Sequence, residues 1–403
     1  MKKYIPWLVL FLVFIATGLS FLDRQVLSMT IIKIQKELNI SDVQYGFVNT
    51  SFLISYAIMF TLSGWIIDKV GGKIGLAFSV GIWSIASALH GVMNSFYHLL
   101  AFRFLLGAGE GGCFPGAAKT VYEWFGEKHR ALAMGIAIGG SAIGAVVAPP
   151  LTILISEHYG WRWGFILPGI VGIVWVVVWL AIPWKKKVIT DTETIAPKKT
   201  SPALLKLLKN KEVLTFVGIR FMLDPVMYFI MFWTPKYLSE QRNVPFTKIG
   251  ELFWIPFLAL GLSNILGGWL SDQLIRKNFS VNKARKIVMG IAAALTLFMP
   301  LITFTSSITL AISLMTLMMF AHGFWITNYI TAISDVFGSK GTSSVVGLSG
   351  TAGAVAGLII NPLMGAIVQN YSYDPLWIAS GLMYPLAFVV LIIFIPQLKK
   401  QIT

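Results

Sequence analysis

The sequence predicts an all-α integral membrane protein, with twelve transmembrane helices in two pseudo-symmetric six-helix bundles. Three observations carry that expectation. Of the 403 residues, 56% are hydrophobic and only 12% charged, about half the charge of a soluble domain. The mean hydropathy is +0.75, and apolar runs of about 20 residues, the length that crosses a bilayer core, recur along the chain. Finally, the second half of the chain repeats the pattern of the first.

The helices fall near 5–31, 43–67, 73–94, 97–121, 130–156, 162–184, 211–239, 247–271, 285–305, 308–335, 342–369 and 375–396. The first run is too long for a secretory leader and lacks a small-residue cleavage site, so it reads as a retained helix. If the N-terminus is cytoplasmic, the inside segments hold Lys2, Lys3, Lys69, Lys73, Lys128, Arg130, Lys340, Lys399 and Lys400. Lys185, Lys186 and Lys187 follow helix six, and Arg276, Lys277, Lys283, Arg285 and Lys286 follow helix eight. The outside segments hold few basic residues: Lys33, Lys36, Arg162, Lys236, Arg242 and Lys248. This bias puts both termini in the cytoplasm. It also accounts for the net charge of +15 without any nucleic-acid partner. The polar stretch 185–210, rich in Lys, Thr and Pro, reads as a mobile linker between halves 1–184 and 211–403.

The halves align. GWIID ends at Asp68 and GWLSD at Asp272. WFGEKHRALAMGIAIGGSAIGAVVAPPL matches VFGSKGTSSVVGLSGTAGAVAGLIINPL without a gap, pairing Phe125, Gly126, Lys128, Gly135, Pro150 and Leu151 with Phe337, Gly338, Lys340, Gly347, Pro362 and Leu363. Two joined six-helix repeats fit a transporter with its substrate site between the bundles.

The chemistry is expected where charge enters the apolar runs. Sixteen residues without charge, Trp7 to Leu22, precede Asp23 and Arg24, and apolar sequence resumes after them. A charge at the bilayer centre costs about 2.5–3.5 kcal/mol on insertion scales, so such residues read as functional. Neighbours on a helix point about 100° apart, so the two do not neutralise each other. At 1.5 Å per residue, Asp23 lies about 24 Å from the inner end of helix one, and Arg103 about 9 Å below the outer end of helix four. In a core of about 30 Å these depths coincide, which makes Arg103 the expected partner of Asp23. Glu110 lies two turns further along the same face, about 10 Å deeper.

The motifs resemble a known superfamily. Gly64-Trp-Ile-Ile-Asp68-Lys69-Val-Gly71-Gly72-Lys73 looks like the loop motif between helices two and three of the major facilitator superfamily, and Arg103-Phe-Leu-Leu-Gly107-Ala-Gly109-Glu110-Gly111 like its helix-four motif. LDR in helix one, Tyr56, and RFLLGAGEGGCFPGAAKTVYEWF are similar to the anion:cation symporter family. RFMLDPVMYFIMFWTPKYL is similar to its hexuronate branch. The chain departs from that family at Phe21-Leu22, where a Tyr or Asn often stands, and at Leu62-Ser63-Gly64, where Pro-Gly-Gly is common.

The resemblance implies a proton-coupled importer of a small organic anion such as a hexuronate or related sugar acid, working by alternating access in the inner or plasma membrane. Arg24 is expected to bind the substrate carboxylate, because a guanidinium matches it with two parallel hydrogen bonds. Asp23 and Glu110 are expected to carry the proton, since low dielectric favours the neutral carboxyl. Arg103 is expected to hold Asp23 ionised until a proton competes. Tyr56 and Asn361 lead the neutral substrate contacts, followed by Tyr45, Asn49, Trp325 and Asn328. His322, which the repeat pairs with Glu110, titrates or simply packs. Arg220 pairs with Asp224, four residues on, or makes a second anion contact. Asp68, Lys69, Lys73 and Asp272 sit at cytoplasmic helix ends and are expected to gate. The glycines at 107, 109, 111, 112, 135, 139, 140 and 144 let helices approach closely.

Other readings are a proton-coupled exporter of drugs or metabolites, or a carrier for another carboxylate or an organic phosphate. An exporter would favour a larger apolar cavity with no need for Arg24. An enzyme acting on lipid would need a nucleophile or metal constellation, and the chain has one Cys, five scattered His and no HExxH. No glycine-rich stretch carries the GKS/T ending of a phosphate loop. No cofactor or metal is expected. The expected partners are the anion, protons and membrane lipid, and the chain is expected to act as a monomer.

Overall fold

The computed structural model describes residues 4–125, 127–184 and 209–398; the side chains of Thr61, Asp68, 127–132 and 338–344 also lie outside the described set. The linker expectation for 185–208 and the gating expectation for the Asp68 side chain therefore fall outside the described residues. Among the described residues the secondary structure is helical throughout, with no strand.

The helices are α1 (Ile5–Leu38), α2 (Asp42–His90), α3 (Phe96–Glu110), α4 (Cys113–Trp124), α5 (Glu127–Tyr159), α6 (Trp161–Ala181), α7 (Lys211–Glu240), α8 (Phe246–Leu252), α9 (Trp254–Arg276), α10 (Val281–Thr296), α11 (Ile308–Asn370) and α12 (Asp374–Phe394). A 3-10 turn, Met299–Thr303, extends α10. Eleven described stretches are long and apolar enough to cross a membrane. Two long helices each supply two of them. α2 is interrupted at Gly71, whose φ of 85° is open to glycine without a Cβ penalty. α11 supplies Ile308–Phe337 and Val345–Asn370. Helix four, expected as one rod over 97–121, is instead α3 followed by α4. The break falls on Gly111 and Gly112, directly after Glu110.

Local chemistry sets several boundaries. α2 opens with a capping box: the Ser41 hydroxyl accepts from the Gln44 backbone N–H at 3.2 Å, and the Gln44 side chain accepts from Ser41 N–H at 2.9 Å. The Ser95 and Ser280 hydroxyls cap α3 and α10 by accepting from the backbone N–H groups of His98 and Lys283, without a reciprocal side chain. α1 ends where Asn39 turns into the left-handed region.

Contacts divide the chain into two units. One comprises Met1–Ile189, Met231–Trp254 and Asn361–Gln369; the other comprises Thr190–Ile230, Ile255–Ile360 and Asn370–Thr403. In the first unit, small residues bring backbones together. A Cβ on Gly140 or Gly144 would fall on a carbonyl of α1, and one on Gly107, Gly109, Gly111 or Gly112 would strike α2. Gly135 and Gly139 meet nothing and do not share this role. In the second unit, Thr296 donates to the Gly381 carbonyl at 3.2 Å, seating α12 on α10.

The two sequence halves make one similar contact each. Lys73 Nζ donates to the carbonyl of Ile182 at 2.8 Å, just past α6. Lys286 Nζ donates to the carbonyl of Ile395 at 2.6 Å, just past α12. Each lysine ties off the last helix of its own sequence half.

Candidate functional site

The first unit gathers an unusual set of buried charges on α1 and α3. α1 presents Ser20, Asp23 and Arg24 within one turn, and α3 presents Arg103 and Glu110 two turns apart. Asp23, Arg103 and Glu110 are all at most 2% exposed. Arg24 Nε lies 2.6 Å from Glu110 Oε2, and Ser20 Oγ donates to the same oxygen at 3.1 Å. The Arg24 guanidinium sits over three rings, at 4.5 Å from Tyr56, 4.9 Å from Phe21 and 5.2 Å from Phe52. This cage is favourable to a cation and leaves the Arg24 side chain 12% exposed.

The pairing differs from the one read off helix depth. Arg103 was expected to meet Asp23, yet no ion pair joins them among the described residues. Asp23 Oδ1 instead accepts from Ser87 Oγ on α2 at 2.7 Å. The depth argument located each Cα along its helix axis but not its azimuth around that axis. It also ignored the reach of an arginine, which lets Arg24 meet a carboxylate about two turns deeper.

The set is under-satisfied. Asp23 Oδ2, Arg24 Nη2, Glu110 Oε1, Arg103 Nε and Nη2, and the Asn49 amide nitrogen are all buried without a hydrogen-bond partner. Buried polar atoms almost always have partners, and a half-satisfied charged network is costly. Both guanidinium groups hold open donors, the chemistry of an anion site.

The neutral candidates separate. Tyr56 lies against Phe52 and Phe60 and under Arg24, so it lines the charged set. Tyr45 is fully buried and donates to the Phe232 carbonyl at 2.6 Å. Asn361 accepts weakly from Trp233 Nε1 at 3.5 Å. Tyr45 and Asn361 thus belong to a seam in which the start of α2 meets the segments 231–254 and 361–369. That seam contains a feature the sequence reading missed: Lys236, 3% exposed, bridges Asp42 and Glu240, at 2.6 Å from each. The Lys236–Glu240 spacing of four was its only sequence signal.

In the second unit, Arg220 Nε meets Asp224 Oδ1 at 2.5 Å, as the four-residue spacing predicts. Asp224 is pressed against Gly353 of α11. His322 Nδ1 shares a hydrogen bond with the Tyr384 hydroxyl. Trp325 packs on Tyr384 and Phe388. Asn328 donates to the carbonyls of Gly267 and Phe324, at 3.1 and 2.9 Å. His322, Trp325 and Asn328 therefore have packing partners within their own unit.

Whether the Arg220–Asp224 pair only carries α7 or also meets an anion is testable. Deleting one partner of a buried pair costs about 3–5 kcal/mol, whereas an apolar replacement of both is often neutral. If the pair is only structural, the Arg220→Met/Asp224→Leu variant should be about as stable as wild type and transport with unchanged KM. An anion contact would show as a raised KM at unchanged stability.

At the helix ends, Lys69 Nζ stands over the Trp65 ring. Lys73 is engaged by Ile182, as above. Asp272 is 3.5 Å from Arg285, which also donates to Asp335 at 3.2 Å and Ser271 at 2.7 Å. The sequence reading missed this Arg285 hub. Its signal lay in the repeat, which aligns Asp335 with Glu123; Glu123 accepts from the Gly72 N–H at 3.1 Å in the first half.

Comparison with known proteins gives the family of the chain. The chain is 28% identical over 393 residues to a hexuronate transporter of Escherichia coli strain K12, covering 93% of this chain and 90% of that one. It is 29% identical over 406 residues to a hexuronate transporter of Bacillus subtilis strain 168, with 98% and 95% covered. A D-galactonate transporter of Escherichia coli O6:H1 is 26% identical over 416 residues, with 96% and 95% covered. Among solved structures, a bacterial homologue of the human lysosomal transporter Spinster, inward-facing and occupied, aligns with a TM-score of 0.76 at 19% identity, covering 97% and 95%, and shares the fold. These findings bear out the likeness to sugar-acid permeases read from the motifs. The model of the Major Facilitator Superfamily matches residues 13–361, and the chain belongs to that superfamily, as a multi-pass membrane protein of a family of transporters rather than enzymes.

Proposed function

We propose that this protein imports a small sugar-acid anion, of the hexuronate or aldonate class, together with protons. The observation that carries the reading is the Arg24–Glu110 pair. Glu110 occupies the guanidinium that a substrate carboxylate would need. A proton on Glu110 removes its charge and releases Arg24, and a carboxylate then takes the vacated donors. Loading the proton and loading the anion thus favour each other. The energy balance agrees: one charge moved through 100 mV is worth about 2.3 kcal/mol, so each extra proton helps to concentrate an anion in a negative interior.

In this reading Asp23 is the second proton carrier, and Arg103 and Tyr56 line the anion's path. The relatives named for hexuronate and D-galactonate support the substrate class. The halves 1–184 and 211–403, joined by 185–210, act as the moving parts. The matched lysine contacts of Lys73 and Lys286 support that division. The basic-residue bias supports cytoplasmic termini in the cell membrane.

The test is uptake of radiolabelled glucuronate, galacturonate and galactonate into proteoliposomes under an inward proton gradient, with and without an ionophore. Glu110→Gln, a permanently neutral mimic, should bind substrate at least as well as wild type but lose gradient-driven accumulation. A Glu110→Gln variant that still concentrates substrate would remove Glu110 from the coupling. Uptake indifferent to the gradient in wild type would end the symport reading.

A further inference from the structure

We propose that Ser87 is a positioning residue for proton coupling, a hydroxyl rotor that keeps Asp23 Oδ1 partnered in both the charged and the neutral form of the carboxyl. The inference rests on the reading of Asp23 as a proton carrier and adds a residue outside both sequence motifs. Ser87 lies on α2, fully buried, with a single hydroxyl hydrogen and two acceptors in reach. Asp23 Oδ1 is 2.7 Å away on α1, and the backbone carbonyl of Phe165 is 3.1 Å away on α6.

One hydrogen serves only one acceptor at a time. With Asp23 ionised, the hydroxyl donates to the carboxylate, and the Phe165 carbonyl keeps its helical partner. With Asp23 protonated on Oδ1, the carboxyl O–H donates to Ser87 Oγ. The Ser87 hydrogen then turns to Phe165. Oδ1 keeps its partner in both states by the rotation of one hydroxyl, with no heavy atom moved. A site built to hold a carboxylate permanently charged would need only the first of these two partners.

The charged groups facing Asp23 are Arg103 and Glu110 from α3, with Arg24 beside it on α1. His90, one turn along α2, stacks its ring on Phe165 at 5.0 Å; its Nδ1 meets the Ala86 carbonyl and its Nε2 is buried without a partner among the described residues. From α6, Phe165 offers only its carbonyl and ring.

The experiment is counterflow of labelled glucuronate, or of whichever sugar acid wild type carries, at equal pH on both sides of the vesicle and across a pH series. Asp23→Asn should exchange substrate with only the Glu110 part of the alkaline decline left, and should not accumulate it under a gradient. Ser87→Ala removes a charge-assisted bond from the ionised form and a weaker neutral one from the protonated form. Its alkaline decline should therefore move to higher pH by up to about one unit, equivalent to about tenfold in proton affinity. Ser87→Thr keeps the hydroxyl and should follow wild type. If Ser87→Ala does not fold, Ser87→Cys, a weaker donor, should show a smaller shift of the same sign. A decline that Asp23→Asn alters but Ser87→Ala leaves in place overturns the proposal alone. A decline that Asp23→Asn leaves unchanged overturns the proton-carrier reading of Asp23 and the proposal with it.

Discussion

Arg24→Ala should abolish uptake. Truncating one member of a buried, hydrogen-bonded charge pair costs about 2–5 kcal/mol, or roughly thirty- to several-thousandfold in affinity. Here the loss falls on the group that would hold the substrate carboxylate. Arg24→Lys should not rescue it. An ammonium is a point charge without the planar fork that meets a carboxylate twice, and it would lose the stacking with Phe21, Phe52 and Tyr56. The check is uptake and equilibrium binding of a labelled sugar acid, alongside thermal melting in detergent. Melting should change less than binding, because Glu110 without its partner takes up a proton rather than remaining a lone buried charge. Near-normal uptake by Arg24→Ala would mean that the pair with Glu110 is only structural and that the anion enters elsewhere.

Gly46→Val should stop turnover by a different route. A Cβ at Gly46 would lie 2.5 Å from the carbonyl oxygen of Asn361 and 2.8 Å from Cα of Pro362. Both are backbone atoms, so neither can swing aside as a side-chain tip would. The same seam holds the Tyr45–Phe232 hydrogen bond and the Lys236–Asp42 ion pair. Overpacking of this kind costs about 1–3 kcal/mol, enough to slow or block seating of the seam by roughly tenfold or more. Uptake should fall accordingly while the purified protein still binds substrate. A transporter that cycles normally with Val at position 46 would show that 361–369 need not seat against α2 during transport.

Much of the fold was legible because apolar length is a strong signal. Helix four was the exception. Its apolar pattern runs on through Glu110, but two adjacent glycines and Pro115 just beyond them break the rod into α3 and α4. Those residues were visible in the sequence; hydropathy simply gives glycine no structural weight. In the site, the residue types that stand out as costly in lipid, Asp23, Arg24, Arg103 and Glu110, do come together on α1 and α3. Their pairing was not legible, since it depends on rotation about helix axes and on side-chain reach. Ser87 carries no sequence signal, because a serine in a membrane helix is ordinary. Lys236 was read as one of the few basic residues of an outer loop, and only the fold brings Asp42 to it.

The two lysine contacts carry a consequence for how the chain can be cut. Lys73 holds the carbonyl of Ile182, just past α6, and Lys286 holds that of Ile395, just past α12. Each sequence half thus supplies from within itself the group that ties the end of its last helix. A chain severed after Ile182 would leave the new C-terminal end still held by Lys73 of the same fragment.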